Sequence, residues 1–414
     1  MRIGIVGSGI SGLTAAYVLH KDFEVTVFEA NEYIGGHTHT IDVQTPHGSY
    51  AVDTGFIVFN EVTYPHFCKL LRTLGVSWQP TQMTFSVKCE RTDLEYSPHT
   101  LNTFFAQRRN AFVPGFWRMM YEIDRFRRSF DTLLSSEQDH IPLVQYLRKA
   151  GYSRRFIDHF IVPMGASLWS ADPMVFDHFP LGTFVRFFKN HGIFEMQHPL
   201  QWYVIRGGSA RYVEKLTAPF AARIFTGMPV RGIRRLNSSV EVLSADGSSH
   251  QFDQVIIAVH SDQALAMLDH PSSLEREILS AIPYQENSVL LHSDPRILPS
   301  RKWIWSSWNY LIPKEETERV TVTYNMNILQ TIASPVDFCV TLNRSDRISD
   351  DAVIGRYVYA HPIYTTNAPA MQKRHHEISG VNRVHFCGAY WGYGFHEDGV
   401  NSALNVCRYF DKYL

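Results

Sequence analysis

Residues 3–40 read "IGIVGSGISGLTAAYVLHKDFEVTVFEANEYIGGHTHT". Ile3 to Val6 have the pattern of a short buried strand around Gly4, and Gly7, Gly9 and Gly12 then form G-x-G-x-x-G with Ser8, Ile10 and Ser11 between them. The first glycine permits a tight turn, the second lets backbone approach a pyrophosphate, and the third allows close helix–strand packing. "SGLTAAYVLHK" has helical spacing, so its first-turn amides would face that pyrophosphate. A second strand, "FEVTVFEA", ends at Glu29 and Ala30, with Glu29 22 residues past Gly7, where a carboxylate can accept the ribose hydroxyls. Strand, glycines, helix, strand and acid in this order predict a dinucleotide site, and the acid argues against a 2′-phosphate. NAD and FAD both remain open from these residues alone.

The bulk numbers narrow the setting. A chain of 414 residues is long for one core, which predicts two domains. Thirty-nine basic against 40 acidic side chains give no net charge to draw the chain to nucleic acid. The five cysteines (Cys68, Cys89, Cys339, Cys387, Cys407) are scattered without a C-x-x-C pair, and the 20 histidines form no H-E-x-x-H array, so no metal is expected. No stretch approaches the roughly 18 apolar residues of a membrane span, and the N-terminus lacks the pattern of a signal peptide. A cytoplasmic location is expected.

"NEYIGGHTHT", with Gly35 and Gly36 soon after the ribose acid, and "DTGFIVFN" from Asp53 resemble the flavin-containing amine oxidase superfamily. That resemblance implies FAD. It places Gly35, Gly36 and His37 on the pyrophosphate, and Thr54, Gly55 and Phe56 near the flavin ring. It also places a backbone contact at Val230, in "GMPVRGIRRL", on the adenine side. Near the C-terminus, "FCGAY" and "GFHEDGVNSAL" match the segment that returns to the flavin: Gly388 and Ala389 in a turn, Phe395 and Asp398 beyond it, and Gly399, Val400 and Asn401 opening a helix toward the pyrimidine end. "TFVRFFKNHG", "WIWSSWNY", "YVYAHPIY" and "CGAYWGYGFHEDGV" are similar to a narrower group, the bacterial FAD-dependent amine-oxidase-like (NAD/FAD-binding) oxidoreductases associated with cyclopropane-fatty-acid-synthase-like genes.

The implied fold is α/β: a Rossmann-type FAD-binding domain (1–80, 205–285 and 375–414) with a discontinuous α+β substrate domain (81–204 and 286–374), as in amine oxidases and phytoene desaturases. "TFSVKCERTDLEYS" and the Asp246-Gly247 turn predict hairpins. "LNTFFAQRRNAFVPGFWRMMYEIDRFRRSF" predicts two helices parted near Pro114, the second with Phe116, Met120, Ile123, Phe126 and Phe130 on one face and Arg118, Glu122, Arg125 and Arg128 largely opposite. Six arginines against two acids between Thr100 and Phe130 raise the prospect of peripheral contact with an anionic inner membrane face. Trp303, Trp305, Trp308, Tyr310, Trp391, Tyr393 and Phe395 are candidates to line an apolar tunnel.

Three departures bear on the chemistry. The family places Arg after the two glycines where this chain has His37, so that contact is weaker or made by backbone; covalent flavin through His37 or His39 is the less favoured alternative to a noncovalent cofactor. The family's lysine on the strand after a tyrosine is replaced by Asn287 in "YQENSVLLHSD", and its cage tyrosine by Phe395. Both count against amine oxidation. The expected function is oxidation or desaturation of a lipophilic, fatty-acyl-type substrate by hydride transfer to flavin, with His396, Glu397 or His361 as the base that takes the partner proton. The alternatives are a redox-neutral double-bond isomerase, an amine oxidase and, last, a non-catalytic flavin-binding partner.

Overall fold

The computed structural model describes residues 1–135, 140–193 and 199–414. The N-terminal strand Arg2–Val6 sits inside a five-stranded sheet. Across the sheet the order is Ile224–Phe225, Glu24–Phe28, Arg2–Val6, Gln254–Ile257 and Val384–Phe386, all parallel. Strands that are buried on both faces need apolar side chains throughout, and Ile3, Ile5, Val25, Val27, Val255 and Ile257 are all fully or almost fully buried. Parallel strands end at the same edge. That edge therefore gathers five loops from distant parts of the chain, beginning at Gly7, Glu29, Thr226, Ala258 and Cys387. Ligands of doubly wound sheets bind outside this carboxyl edge.

The helix Ile10–Leu19 follows the glycine loop and packs on the C-terminal helix His396–Arg408. The approach is close: a Cβ on Gly399 would lie 2.7 Å from Ile10 Cγ2. The C-terminal helix begins at His396, so Gly399, Val400 and Asn401 lie within it and do not open it. The opening amides are those of His396, Glu397 and Asp398.

A seven-stranded sheet faces the carboxyl edge. Its order is Val353–Pro362, Tyr284–His292, Cys339–Leu342, Val322–Asn325, Trp308–Ile312, Phe85–Cys89 and Leu94–Tyr96. All neighbours are antiparallel except Trp308–Ile312 with Phe85–Cys89. Both predicted hairpins form, Phe85–Cys89 with Leu94–Tyr96 and Val240–Ser244 with Ser249–Phe252. In the longest pairing Gln285 lies opposite His361 and Asn287 opposite Tyr359. Because side chains alternate along a strand, these four share one face of the sheet.

The segment from Thr100 to Phe130 differs from its sequence reading. Only one turn of helix, Leu101–Phe104, and a 3-10 turn, Arg108–Phe112, precede Pro114, which occupies the first turn of Pro114–Arg128. A proline there loses no helical hydrogen bond. The buried face comprises Phe116, Met119, Glu122 and Phe126, so Met119 replaces Met120 and Glu122 points inward. Its carboxylate survives burial because Ser153 N, Ser153 Oγ and Arg118 Nε all donate to it.

Candidate cofactor cleft and active site

Glycine geometry shapes the first wall of the cleft. A Cβ on Gly12 would stand 2.0 Å from the Gly7 carbonyl oxygen, so helix and loop touch through bare backbone. Gly36, at φ +61°, lies against Gly9, with its Cβ position 3.0 Å from Gly9 Cα. That contact brings the Gly35-Gly36 loop onto the glycine turn, while a Cβ on Gly9 itself would meet nothing within 4 Å. Gly9 caps the helix without a side-chain hydrogen bond. The first-turn amides, including those of Ile10 and Ser11, have no intrahelical acceptor and present positive partial charge to an anion.

Beside this turn the buried Glu29 carboxylate accepts from Ser8 N (2.9 Å) and Ser8 Oγ (2.6 Å), and from Asn31 N and Nδ2 (each 2.9 Å). Ser8 Oγ also accepts from Gly35 N at 3.3 Å. Around Glu29, its amide donates to Phe225 O and its carbonyl accepts from Met228 N. This seats the turn that leads into the strand Val230–Arg235 next to the acid and Ala30. An amide-rich helix start, a positioned carboxylate and a backbone free of side chains fit a dinucleotide's pyrophosphate and ribose.

The second wall runs from the Gly-Gly loop to the Asp-Thr-Gly stretch. Phe56 N donates to His37 O (2.7 Å) and Thr54 N to His39 O (2.9 Å), so the two stretches lie side by side with Gly55 between. Asp53 anchors them. Its fully buried carboxylate accepts from Ser209 N (2.9 Å), Ser209 Oγ (2.7 Å) and Thr40 Oγ1 (2.5 Å). Burial raises its pKa to about 6, against the lowering effect of the Thr40 and Ser209 hydrogen bonds. The sequence expectation began at Thr54 and missed Asp53, although it opens the quoted "DTGFIVFN", and Ser209.

Of the three residues expected to move a proton, two are committed elsewhere. The Glu397 carboxylate accepts from His66 N (3.0 Å) and Phe67 N (2.9 Å) and pairs with the His66 ring (3.1 Å), capping the helix Pro65–Thr73. The His396 ring stacks on Phe56 at 3.4 Å between centroids, and its Nε2 lies 3.0 Å from both Thr38 Oγ1 and Tyr212 Oη. Burial holds the imidazole well below its usual range. Both residues lock the C-terminal helix against the second wall. At that helix's start Phe395 N donates to Asp398 (3.0 Å), whose carboxyl burial lifts to about 7. Gly388 N donates to Ser402 Oγ (2.8 Å), which ties the turn carrying Ala389 to the same helix.

His361 is the candidate that faces the cleft. Its ring centroid lies 5.3 Å from that of His37, and His37 lies 6.1 Å from His260 and 5.4 Å from Tyr359. Tyr359 Oη bonds Thr54 Oγ1 (2.6 Å) and His39 Nδ1 (2.8 Å), joining the sheet to the second wall. Desolvation lowers the pKa of His37, of His260 (to about 3) and of His361, leaving a group of neutral imidazoles. Among the described residues no group of three or more His, Cys, Asp or Glu side chains is arranged to hold a metal ion. His260 and Tyr359 were not singled out from the sequence, although the alternation of Tyr357, Tyr359 and His361 was a signal that they share a face.

Aromatic side chains close the substrate side, but not the set expected. Phe187 packs on Phe395 (4.8 Å), Tyr393 (5.5 Å) and His191 (3.8 Å), and Trp169 donates its indole N–H to Tyr393 O. Trp391 lies against His375 and Tyr390. Trp303 is exposed under Arg108, and Trp305 packs beside a separate cluster of Ile297, Leu298, Leu311 and Cys339. Trp308 and Tyr310 are buried in the main core of the sheet. The tunnel reading of Trp303 and Trp305 is corrected: the first is exposed and the second belongs to a separate cluster.

A doubly wound sheet whose carboxyl edge carries an anion-ready helix start and a positioned acid defines a dinucleotide-dependent oxidoreductase. Residues 10–296 match the family of flavin containing amine oxidoreductases, and the chain belongs to that family. It is an FAD-dependent enzyme. The 1-hydroxycarotenoid 3,4-desaturase of Flavobacterium sp. (strain P99-3) is 44% identical over 71 residues, which is 17% of this chain and 13% of the desaturase's length. Two solved structures share the whole fold. A cofactor-binding redesign of putrescine oxidase superimposes with a TM-score of 0.71 at 15% identity, covering 99% of this chain and 98% of the other. A CLA-producing fatty acid isomerase from P. acnes gives the same TM-score at 16% identity and the same coverage. Identities this low establish the fold and leave the substrate to the residues. No helix of the described residues is long and apolar enough to cross a membrane.

Proposed function

We propose that this enzyme oxidises or desaturates a lipophilic, fatty-acyl-type substrate, passing a hydride to noncovalently held FAD. Bound FAD supplies the two-electron acceptor. Gly7 to Gly12 and the Gly35-Gly36-His37 loop would take its pyrophosphate, Glu29 its ribose, and the turn before Val230 its adenine side. Thr54 to Phe56, Gly388, Ala389 and the start of the C-terminal helix would flank its ring. Segments 1–80, 205–285 and 375–414 would then form the cofactor domain, with 81–204 and 286–374 forming the substrate domain.

The observation that carries the substrate class is the polarity of the sheet face. Where the family's amine oxidases are expected to carry a lysine, Asn287 is fully buried and spends its amide on Ser170, His361, Gln285 and Asn343. With Phe395 at the cage position and Phe187 and Trp169 packed behind it, that side of the cleft is apolar. Such walls orient an acyl chain by shape and exclude water.

An exposed face of the helix Pro114–Arg128 supports uptake from a bilayer. Phe112, on the 3-10 turn before it, is 88% and Tyr121 66% exposed, Trp117 lies one helical turn before Tyr121, and six arginines lie between Thr100 and Phe130. Retention on vesicles containing anionic lipid at low salt tests this contact; free passage through such vesicles refutes it.

Anaerobic mixing with candidate acyl lipids tests the reaction. Lasting bleaching of the flavin with a new double bond in the lipid is the expected result. Product without lasting bleaching would show a redox-neutral isomerase instead. No change with acyl lipids and bleaching by primary amines would overturn the proposal.

A further inference from the structure

The hydrogen bonds around Asn287 determine which nitrogen of His361 carries the proton. Asn343 Oδ1 accepts from Ser288 N (3.0 Å), so Asn343 Nδ2 points the other way, donating to Val320 O (3.0 Å) and Asn287 Oδ1 (2.7 Å). Gln285 Nε2 donates to the same Asn287 oxygen at 3.2 Å. Asn287 Nδ2 then faces Ser170 O, an acceptor, at 2.9 Å and His361 Nδ1 at 3.0 Å. A flipped Asn287 would set oxygen against the Ser170 carbonyl and nitrogen against the amino groups of two neighbours. The orientation is therefore fixed by backbone groups at both ends of the chain of amides.

An amide nitrogen has only hydrogens to offer, so His361 Nδ1 must be a bare acceptor. The remaining proton of the neutral ring sits on Nε2. Among the described residues no group takes a hydrogen bond from that Nε2, and the ring is half-buried at the cleft with His37 and His260 beside it. We propose that Asn287 is a positioning residue that locks His361 as its Nε2–H tautomer, so that His361 presents a neutral hydrogen-bond donor to the cleft and does not serve as a base.

The consequence is specific to this chain. A neutral imidazole whose one lone pair is already occupied cannot receive a substrate proton, but its N–H can stabilise negative charge that builds on a bound molecule. Charging His361 would require a second proton on Nδ1, against the Asn287 hydrogen that points at it and beside two further imidazoles. The cleft's use as an FAD and substrate site is the reading above; the tautomer itself does not depend on it.

The test is nitrogen-15 NMR of histidine-labelled holoenzyme at pH 7.5, with the His361 signals assigned by their loss in His361→Gln. The expected pattern is protonated Nε2 and bare Nδ1; a protonated Nδ1 in the wild type overturns the proposal. In Asn287→Asp the carboxylate becomes an acceptor, and the proton is expected to move to Nδ1 or a second one to be taken up there. An unchanged tautomer in a folded Asn287→Asp protein also overturns it. If that variant does not fold, the wild-type pattern decides alone. Flavin absorbance recorded on the same samples reports separately whether FAD is held, so failure of the functional reading and failure of the tautomer lock are distinguishable.

Discussion

On the cradle side of the cleft the groups proposed to meet the cofactor are mostly backbone: the Gly9 turn, the helix-start amides and the Gly35-Gly36 loop, with the Glu29 carboxylate beside them. On the sheet side they are side chains drawn from far apart, with Asn287 meeting His361 and Tyr359 meeting Thr54 and His39. Backbone recognition tolerates no substituent, whereas the sheet face tolerates change of residue at the cost of changed chemistry. The first side explains what this protein shares with putrescine oxidase and a fatty acid isomerase; the second is where its own substrate must be read.

The sharpest way to break this contrast is Gly12→Val. Its Cβ would begin 2.0 Å from a backbone carbonyl that has no rotamer to escape into. Loss of coloured, soluble protein is expected, with destabilisation above about 3 kcal/mol. Wild-type flavin content and urea midpoint in that variant would refute the close packing.

Glu29→Gln comes next. It keeps the shape but replaces a charged acceptor, and FAD affinity in a fluorescence titration should fall roughly 10- to 100-fold, the worth of a charge-assisted hydrogen bond. Changes to Phe187, on the aromatic substrate side, should leave that affinity within about 3-fold while altering substrate turnover.

Acidification acts on the buried imidazoles. His191, His292 and His385 are buried, with desolvation lowering each to about 4. The folded state binds their protons less readily than the unfolded chain, so their stability is present above about pH 6.5 and lost as pH falls toward 4. At pH 5 each removes about 2 kcal/mol. Asp53 and Asp398, raised to about 6 and 7, act oppositely: their stability is present at low pH and lost as pH rises through those values. Together they return roughly 4 kcal/mol at pH 5. Urea midpoints should therefore show a net loss of more than about 2 kcal/mol between pH 7.5 and 5, because burial also lowers His260, His361 and His396. Asp53→Asn should enlarge that loss by removing one opposing group.

The smallest effect on stability is expected at the exposed aromatic face. Phe112→Asp and Tyr121→Asp should shift the urea midpoint by less than about 0.5 kcal/mol. They should nonetheless abolish retention on anionic vesicles, and persistent retention would remove that face from the account.

The same contrast sets what could be read before the structure. The strand, glycine turn, helix and second strand from Arg2 to Phe28 were legible because they form one local unit set by short-range spacing. The Asp246-Gly247 hairpin was legible for the same reason. Glu397 was misread as a proton acceptor because its role is fixed by the helix Pro65–Thr73, which no local pattern connects to it. Glu122 was placed on the solvated face because helical periodicity favours exposing a carboxylate, and the donors that allow its burial, Ser153 above all, come from another element. The tryptophans at 303 and 305 misled because composition says nothing of where a turn carries a side chain. His361 stood out in the sequence as a candidate base, but the amide contacts that bear on its tautomer come from Asn343 and Ser170, far along the chain.

The measurement that most directly tests the convergence of Gly7–Gly12, Glu29 and the C-terminal turn on one cofactor is the visible spectrum of the purified protein during titration with FAD. A flavin spectrum saturating at one FAD per chain, released by acid denaturation, is the predicted result. Protein that is colourless as isolated and acquires no bound flavin on incubation with FAD would contradict the account.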